Sequence, residues 1–389
     1  MKNLEEKAGL CALGRIFGFE PRIGIALVSH AGNARAVFNL PQEELDFLLG
    51  PFSKYKGQID GRAYESATKE LGDLSNMGIS YCGWTEDEEY PSALKECPDP
   101  PIGLYVRSET PCSELWTPQK KIAIVGTRDI SSYGSEWCEK TVSALASSGV
   151  QPMIVSGLAL GTDIYAHRAA LEHGLPTIGV MATGPDSIYP YRNRQTALHM
   201  TRIPGCALIT DYPPGTAPLA IHFLRRNRII AGLSDSTILI ESRLKGGGMM
   251  TSRLAFSYDR DVFALPGRVD DLRSQGCNEL IRGKIAEPLV STQALLDGLG
   301  LKSAGKGNKE GLDERVRRIY AGRLPEEKVA AIIELLHMIR KERGISIDEL
   351  SETSGLGFPL CMNLCGILET DDFISIDILQ RCSINPKII

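Results

Sequence analysis

The sequence predicts a doubly wound, mostly parallel α/β sheet, and three observations carry that expectation. Six apolar, β-branched runs, each short and nearly continuous, read as strands buried on both faces. Helical stretches alternate with them, and several end in a glycine suited to a helix C-terminus. The carboxyl ends of the runs are glycine-rich one after another.

Residues 1–62 form the first expected domain, small and helical. They lack strand pattern, break at glycines in "FGFEPRIGIALVSHAGN" and restart at a proline in "LPQEELDFLL". Residues 63–300 form the α/β domain. Its runs are "KIAIVG" (121–126), "PMIVSG" (152–157), "PTIGVMATG" (176–184), "CALITDY" (206–212), "STILIES" (236–242) and "DVFALPG" (261–267). "SEWCEKTVSALASSG" (135–149) and "DIYAHRAALEHG" (163–174) supply helices between them. Residues 301–322 are expected to be a linker, because "LKSAGKGNKEG" is rich in Gly and Lys. In 323–389, "PEEKVAAIIELLHMIRKERG" predicts a long amphipathic helix. The helix, turn, helix and strand that follow are in the order of a winged helix.

At 389 residues, two or three domains are expected, and the composition is that of a globular chain. No run of eighteen apolar residues suggests a membrane span, and "MKNLEEKAGLCALG" has no signal-peptide pattern, so a cytoplasmic protein is expected. The ten cysteines are scattered without CxxC or finger spacing, which predicts reduced, buried thiols and no metal.

A net charge of -5 does not advertise a nucleic-acid binder, but the distribution is uneven. Between 185 and 230, Arg192, Arg194, Arg202, Arg225, Arg226 and Arg228 face only Asp186 and Asp211. In "HFLRRNRIIAG" three arginines surround Asn227, and they repel one another unless an anion or carboxylates neutralise them. Ligands of open α/β sheets bind outside the strands' carboxyl ends. There, Gly126, Gly157, Gly184, Gly215, Gly246 to Gly248 and Gly267 permit close backbone approach and free N–H groups for an anion. The loop "VGTRDISSYG" adds Thr127, Arg128, Ser131 and Ser132, and "SGLALGTD" ends at a helix N-terminus.

A dinucleotide is not expected, since the first βα turn lacks GxGxxG and "IVSG" ends without an acid for a ribose. The GxxxxGK match in "GLKSAGKG" lacks the final Ser/Thr and falls in the linker. Catalytic equipment is thin. Asp163 and His167 lie one helical turn apart and suit a base with its orienting carboxylate, or a cap and a packed histidine. No catalytic residue, metal or cofactor is assigned. The pattern favours binding over turnover.

"AIVGTRDISSYG", "IVSGLALGTDIYAHRAAL", "DSIYPYRN", "FLRRNRIIAGLSDSTILIES", "TSRLAF" and "VFALPGRVDDLRSQGCNELIRGKIAEPLVS" together resemble the DNA-processing protein A family (DprA, or Smf), in order over about residues 75 to 295. The N-terminal region looks like that family's SAM-like domain, "YPSALKECPDPPIGLYVR" (90–107) matches its lead-in, and the tail is similar to its winged-helix domain. The resemblance implies an extended Rossmann-like fold that binds single-stranded DNA, dimerises through that domain, and loads a RecA-type recombinase while protecting incoming DNA in natural transformation. It implies phosphate contacts at Gly126, Thr127 and Arg128, at Ser156, Gly157 and Gly161, and along Arg225, Arg226, Asn227 and Arg228, and the loop reading adds Ser131 to these candidates. The sequence departs from the family where Leu160 replaces a usual basic residue and where "KGGGMMTS" brings Lys245 and Gly247 beside the site. Arg192 and Arg194 stand near a lysine position of relatives.

The rival reading is a nucleoside-monophosphate phosphoribohydrolase of the lysine-decarboxylase-like type, with a PGGxGTxxE loop. Here Met250 replaces a glycine and Leu254 stands where the acid belongs. A winged-helix repressor reading duplex DNA is a third class, but "FPLCMNLCGILE" has no cation for phosphates or bases.

Overall fold

The computed structural model describes residues 2–50, 52–118, 120–301, 312–342, 344–378 and 380–385. The chain divides into two compact units, Met1–Ala304 and Gly305–Ile389.

All six expected runs form strands of the first unit, and three further strands extend the sheet. In chain order they are β1 (Ile79–Gly83), β2 (Gly103–Arg107), β3 (Lys121–Val125), β4 (Met153–Ser156), β5 (Thr177–Val180), β6 (Ala207–Thr210), β7 (Ser236–Leu239), β8 (Asp261–Ala264) and β9 (Glu287–Pro288). Their order across the sheet is β1-β2-β6-β5-β4-β3-β7-β8-β9. β6 through β9 in that row are parallel, while β1–β2 and β2–β6 pair antiparallel.

The two-residue period of a strand explains both cores. Ile122 and Ile124 point to one face, where Ile154 and Ile238 meet Cys138, Val142 and Leu145 of the helix Ser132–Ala146. Ala123 and Val125 point to the other, against Ile229, Ile230 and Leu233 of the helix Ala220–Leu233. Burying each Ile, Leu or Val stabilises the fold by about 1.5–3 kcal/mol.

The helical N-terminal region is longer than expected. The helix Gly61–Ser75, capped by the Asp60 side chain, buries Ala67, Leu71 and Leu74 in one cluster with Leu10, Leu13 and Phe17. The expected boundary at 62 therefore falls inside a helix whose apolar face belongs to the N-terminal layer. That cluster also takes in Ile79, Tyr81, Ile102 and Tyr105, so the layer is seated on the β1–β2 extension.

The second unit holds the helices Leu312–Tyr320, Glu326–Lys341, Ile347–Ser354 and Phe358–Thr370. Three short antiparallel strands, β10 (Ile345–Ser346), β11 (Ile374–Ile376) and β12 (Arg381–Ile384), lie in the order β10-β12-β11. Of the expected linker 301–322, residues 302–311 lie outside the described residues, and Leu312–Tyr320 is a helix. Val316 and Tyr320 are one helical turn apart and both enter this unit's core, with Tyr320 6.0 Å from the Phe373 ring.

All ten cysteines are free and buried. Among the described residues no cluster of His, Cys, Asp or Glu suits a metal, and no helix is long and apolar enough to cross a membrane.

Candidate nucleic-acid interface

The chain leaves β3 for β4 on one side and returns from β6 to β7 on the other, so the strand order reverses at β3. A cleft of about 670 Å³ opens at the carboxyl ends there, between the loops after β3 and β7 and the helix Ala220–Leu233. This is the switch-point crevice in which open α/β sheets bind ligands.

Gly126, Thr127 and Arg128 form its first wall. A Cβ on Gly126 would stand 2.4 Å from the Thr162 Oγ1, so glycine alone fits. The Thr127 carbonyl accepts from the Thr162 N–H at 3.1 Å, which fastens this loop to the next. Arg128 is exposed, and its guanidinium lies 5.3 Å from the Phe223 ring centroid. No carboxylate pairs with it among the described residues.

The loop after β4 is built for support. Ser156 is buried, and its hydroxyl donates to the Ile124 carbonyl at 2.6 Å. Gly161, at φ +72, packs against the Thr127 carbonyl. Asn193 donates to the Leu158 and Ala159 carbonyls and ties the loop down. The Asp163 carboxylate accepts from the Ala159 N–H at 3.3 Å. Burial raises its pKa, while Arg226 opposes the rise. His167 is fully buried with its Nδ1 2.8 Å from the Thr177 hydroxyl. Burial and, less, Arg226 push its pKa down to about 3. Asp163 and His167 are thus a loop cap and a packed histidine, and the paired-base arrangement does not form.

The three arginines separate because successive helical residues turn by about 100°. Arg225 and Arg228, one turn apart, both reach Asp211, at 3.1 and 2.5 Å. Arg225 also lies between the rings of Phe19 and Tyr212, and Arg228 donates to the Asp99 carbonyl. The Asp211 carboxylate raises the Arg228 pKa against the opposing effect of burial.

Arg226 turns the other way, into the cleft. It is 4% exposed and donates to the Val180 carbonyl at 2.8 Å, yet its Nε has no partner. Its guanidinium lies over Gly157, and no carboxylate pairs with it among the described residues. Burial lowers its pKa, an effect Asp163 partly offsets.

The loop after β7 forms the far wall. Arg243 and Lys245 are exposed, and the helix Gly247–Ser257 begins at Gly246 without a side-chain cap. Gly246, Gly247 and Gly248 line the cleft, which puts the partial positive charge of a helix N-terminus beside it.

Seven of the expected contacts line the cleft: Gly126, Thr127, Arg128, Arg226, Asn227, Lys245 and Gly247. The others lie elsewhere. Ser131 caps the helix Ser132–Ala146 and is engaged with Glu241, and Ser156, Gly157 and Gly161 shape the loops. Arg192 and Arg194 are exposed outside the cleft lining, and Arg225 and Arg228 are held by Asp211. The sequence reading missed Arg243, Phe223 and Tyr189 in the lining and the buried Glu241 behind it. Only Arg243 carried a signal, as a second cation in the loop of Lys245.

Residues 82–300 match the family model described as DNA recombination-mediator protein A. Among curated relatives, Protein Smf of Synechocystis is 40% identical over 256 residues, 63% of each chain. DNA processing protein DprA of Streptococcus pneumoniae is 38% identical over 50% of this chain and 66% of its own length. The Bacillus subtilis protein of the same name is 37% identical over 58% of this chain and 73% of its own. The chain thus spans less than two thirds of the first two relatives. Of solved structures, DprA from S. pneumoniae superposes with a TM-score of 0.60 at 30% identity, covering 75% of this chain and 97% of that one. DprA from Helicobacter pylori, whose structure was described for its single-stranded DNA binding mode, gives 0.50 at 33% identity, covering 57% and 95%.

Proposed function

The chain belongs to the DNA recombination-mediator protein A family, and from that premise we propose that its cleft binds the backbone of single-stranded DNA. The observation that carries this reading is Arg226. A guanidinium buried without a paired carboxylate is costly, and an anion in the cleft supplies the missing charge. Arg128, Arg243 and Lys245 add exposed cations around it, and the uncapped N–H groups at Gly247 and Gly248 add donors. Phe223 and Tyr189, in edge contact at 5.6 Å, offer π-faces on which unstacked bases rest whatever their sequence. Arg225 and Arg228 position the helix and are assigned no phosphate.

The H. pylori relative's described single-stranded DNA binding mode supports single strands as the ligand. The wider role, protecting single strands and passing them to a RecA-type recombinase as a cytoplasmic homodimer, rests on family membership. The second unit is read as a winged helix used for protein contact. Turnover is not part of the proposal. Leu254 packs partly buried against the core where the phosphoribohydrolase needs its glutamate, and Thr251 is 2% exposed with its hydroxyl bonded to the Gly247 carbonyl.

The test is a titration of the whole chain with labelled oligo(dT) and with duplex of the same length over a range of salt. Single-strand preference with steep loss of affinity as salt rises is expected. Binding indifferent to salt, or a preference for duplex, refutes it.

A further inference from the structure

We propose that Glu241 decides which phosphates this cleft accepts. Its carboxylate stands where a ligand phosphate sits in nucleotide-binding sheets of this kind, which shuts out free mono- and dinucleotides and leaves the far wall to a polynucleotide backbone.

In an open α/β sheet the helix after the strand at the switch point presents its N-terminus to the ligand's phosphate. Here that helix is Ser132–Ala146, which follows β3. The donors of its N-cap residue are already taken. The Ser131 N–H donates to Glu241 Oε2 at 2.9 Å and the Ser131 hydroxyl to Oε1 at 2.6 Å. A Cβ on Gly134, third residue of the helix, would stand 2.6 Å from Oε2. The carboxylate therefore lies over the first turn, and Gly134 is small to make room for it.

Glu241 is 2% exposed, and no cation pairs with it among the described residues. Its charge is met by two donors and the positive end of the helix, the means by which such a helix end holds an external anion. A phosphate brought to this turn would meet a fixed negative charge in a poorly screened place. The far wall differs. Gly246 has no side-chain cap, Gly247 is exposed, and Arg243, Lys245 and Arg226 surround it. A free nucleotide has only its own one or two phosphates and cannot use the first turn. A polynucleotide spreads its phosphates along Arg128, Arg226 and the far wall. The inference rests on the reading above only in taking the far wall as the phosphate side.

The experiment compares the wild-type chain with Glu241→Ala and Glu241→Gln, using inorganic phosphate and ADP as probes in calorimetry and thermal melting. Glu241→Ala should bind ADP about tenfold tighter than wild type, and phosphate should raise its melting midpoint more than it raises that of wild type. Glu241→Gln keeps the bulk over the turn and should gain no ADP affinity. A folded Glu241→Ala with no gain overturns the proposal. So does a variant that is unfolded and stays unfolded in saturating phosphate, since an external anion should refill the vacated place. Oligo(dT) binding by wild type is scored separately, so loss of the single-strand reading and loss of this one are distinguishable.

Discussion

Arg226 and Gly157 occupy one space: a Cβ on Gly157 would stand 1.6 Å from Nη1 and 2.4 Å from Cζ of Arg226. The glycine at the end of β4 is the seat on which the one cleft-facing arginine of its helix rests. Gly157→Ala should therefore displace the guanidinium. Overpacking of this kind costs about 1–3 kcal/mol, so a lower melting midpoint should accompany a marked loss of single-strand affinity. A cooperative fold with undiminished affinity would remove Arg226 from the DNA site.

Arg128 and Arg228 should separate binding from stability. Arg128→Ala removes an exposed cation, so affinity should fall while the melting midpoint stays. The log–log salt slope should drop by about 0.7, the share of one phosphate on a single strand. Arg228→Ala leaves Asp211 buried with only Arg225 to meet it. Breaking a buried pair costs about 3–5 kcal/mol, so this variant should show lower chemical stability and, once folded, a salt slope near that of wild type. The reverse pattern would exchange their roles.

The contrast marks what the sequence could and could not tell. The six strands were legible because both faces of each are apolar, which leaves a continuous run. β1 and β2 are not legible as strands, since "ISYCG" and "GLYVR" are short and mixed in character. The arginine cluster was legible as charge, but its directions depend on Asp211 and Asp99, which are 14 to 129 residues away in sequence. Glu241 gave no signal, since its partner Ser131 lies 110 residues away. Tyr320 and Val316 look like linker residues until the core that receives them is known.

His167 should give the first unit an acid-labile step. Its pKa is near 3 in the folded chain against an ordinary value of about 6.5, so the unfolded chain takes up the proton first. Stability from this group is complete above about pH 6.5 and declines as pH falls toward 3. Between pH 7 and pH 5 the loss is roughly 2 kcal/mol. Urea unfolding at the two pH values should show that difference in wild type and a smaller one in His167→Gln. Equal losses in both would mean that the acid sensitivity originates elsewhere.

Truncation after Leu301 should leave a folded unit that binds single strands nearly as well as the whole chain. Leu301 is 4% exposed in the core of the first unit, so the cut keeps that core intact. The second unit carries cations in its first two helices, among them Arg315, Arg317, Arg318, Arg340 and Lys341, and the acidic segment that follows them has none. Between residues 344 and 380 stand Asp348, Glu349, Glu352, Glu369, Asp371, Asp372 and Asp377, with no Lys, Arg or His. The helix Phe358–Thr370 instead exposes Phe358, Leu360 and Met362 near its start, apolar anchors of the kind protein partners use. An acidic surface repels a polyanion, and removing it leaves the Arg226 cleft unchanged. Fluorescence anisotropy with oligo(dT) should therefore give closely similar affinities for the two lengths of chain. A loss of more than about tenfold, 1.4 kcal/mol, would place the second unit in the DNA site and end its assignment to protein contact.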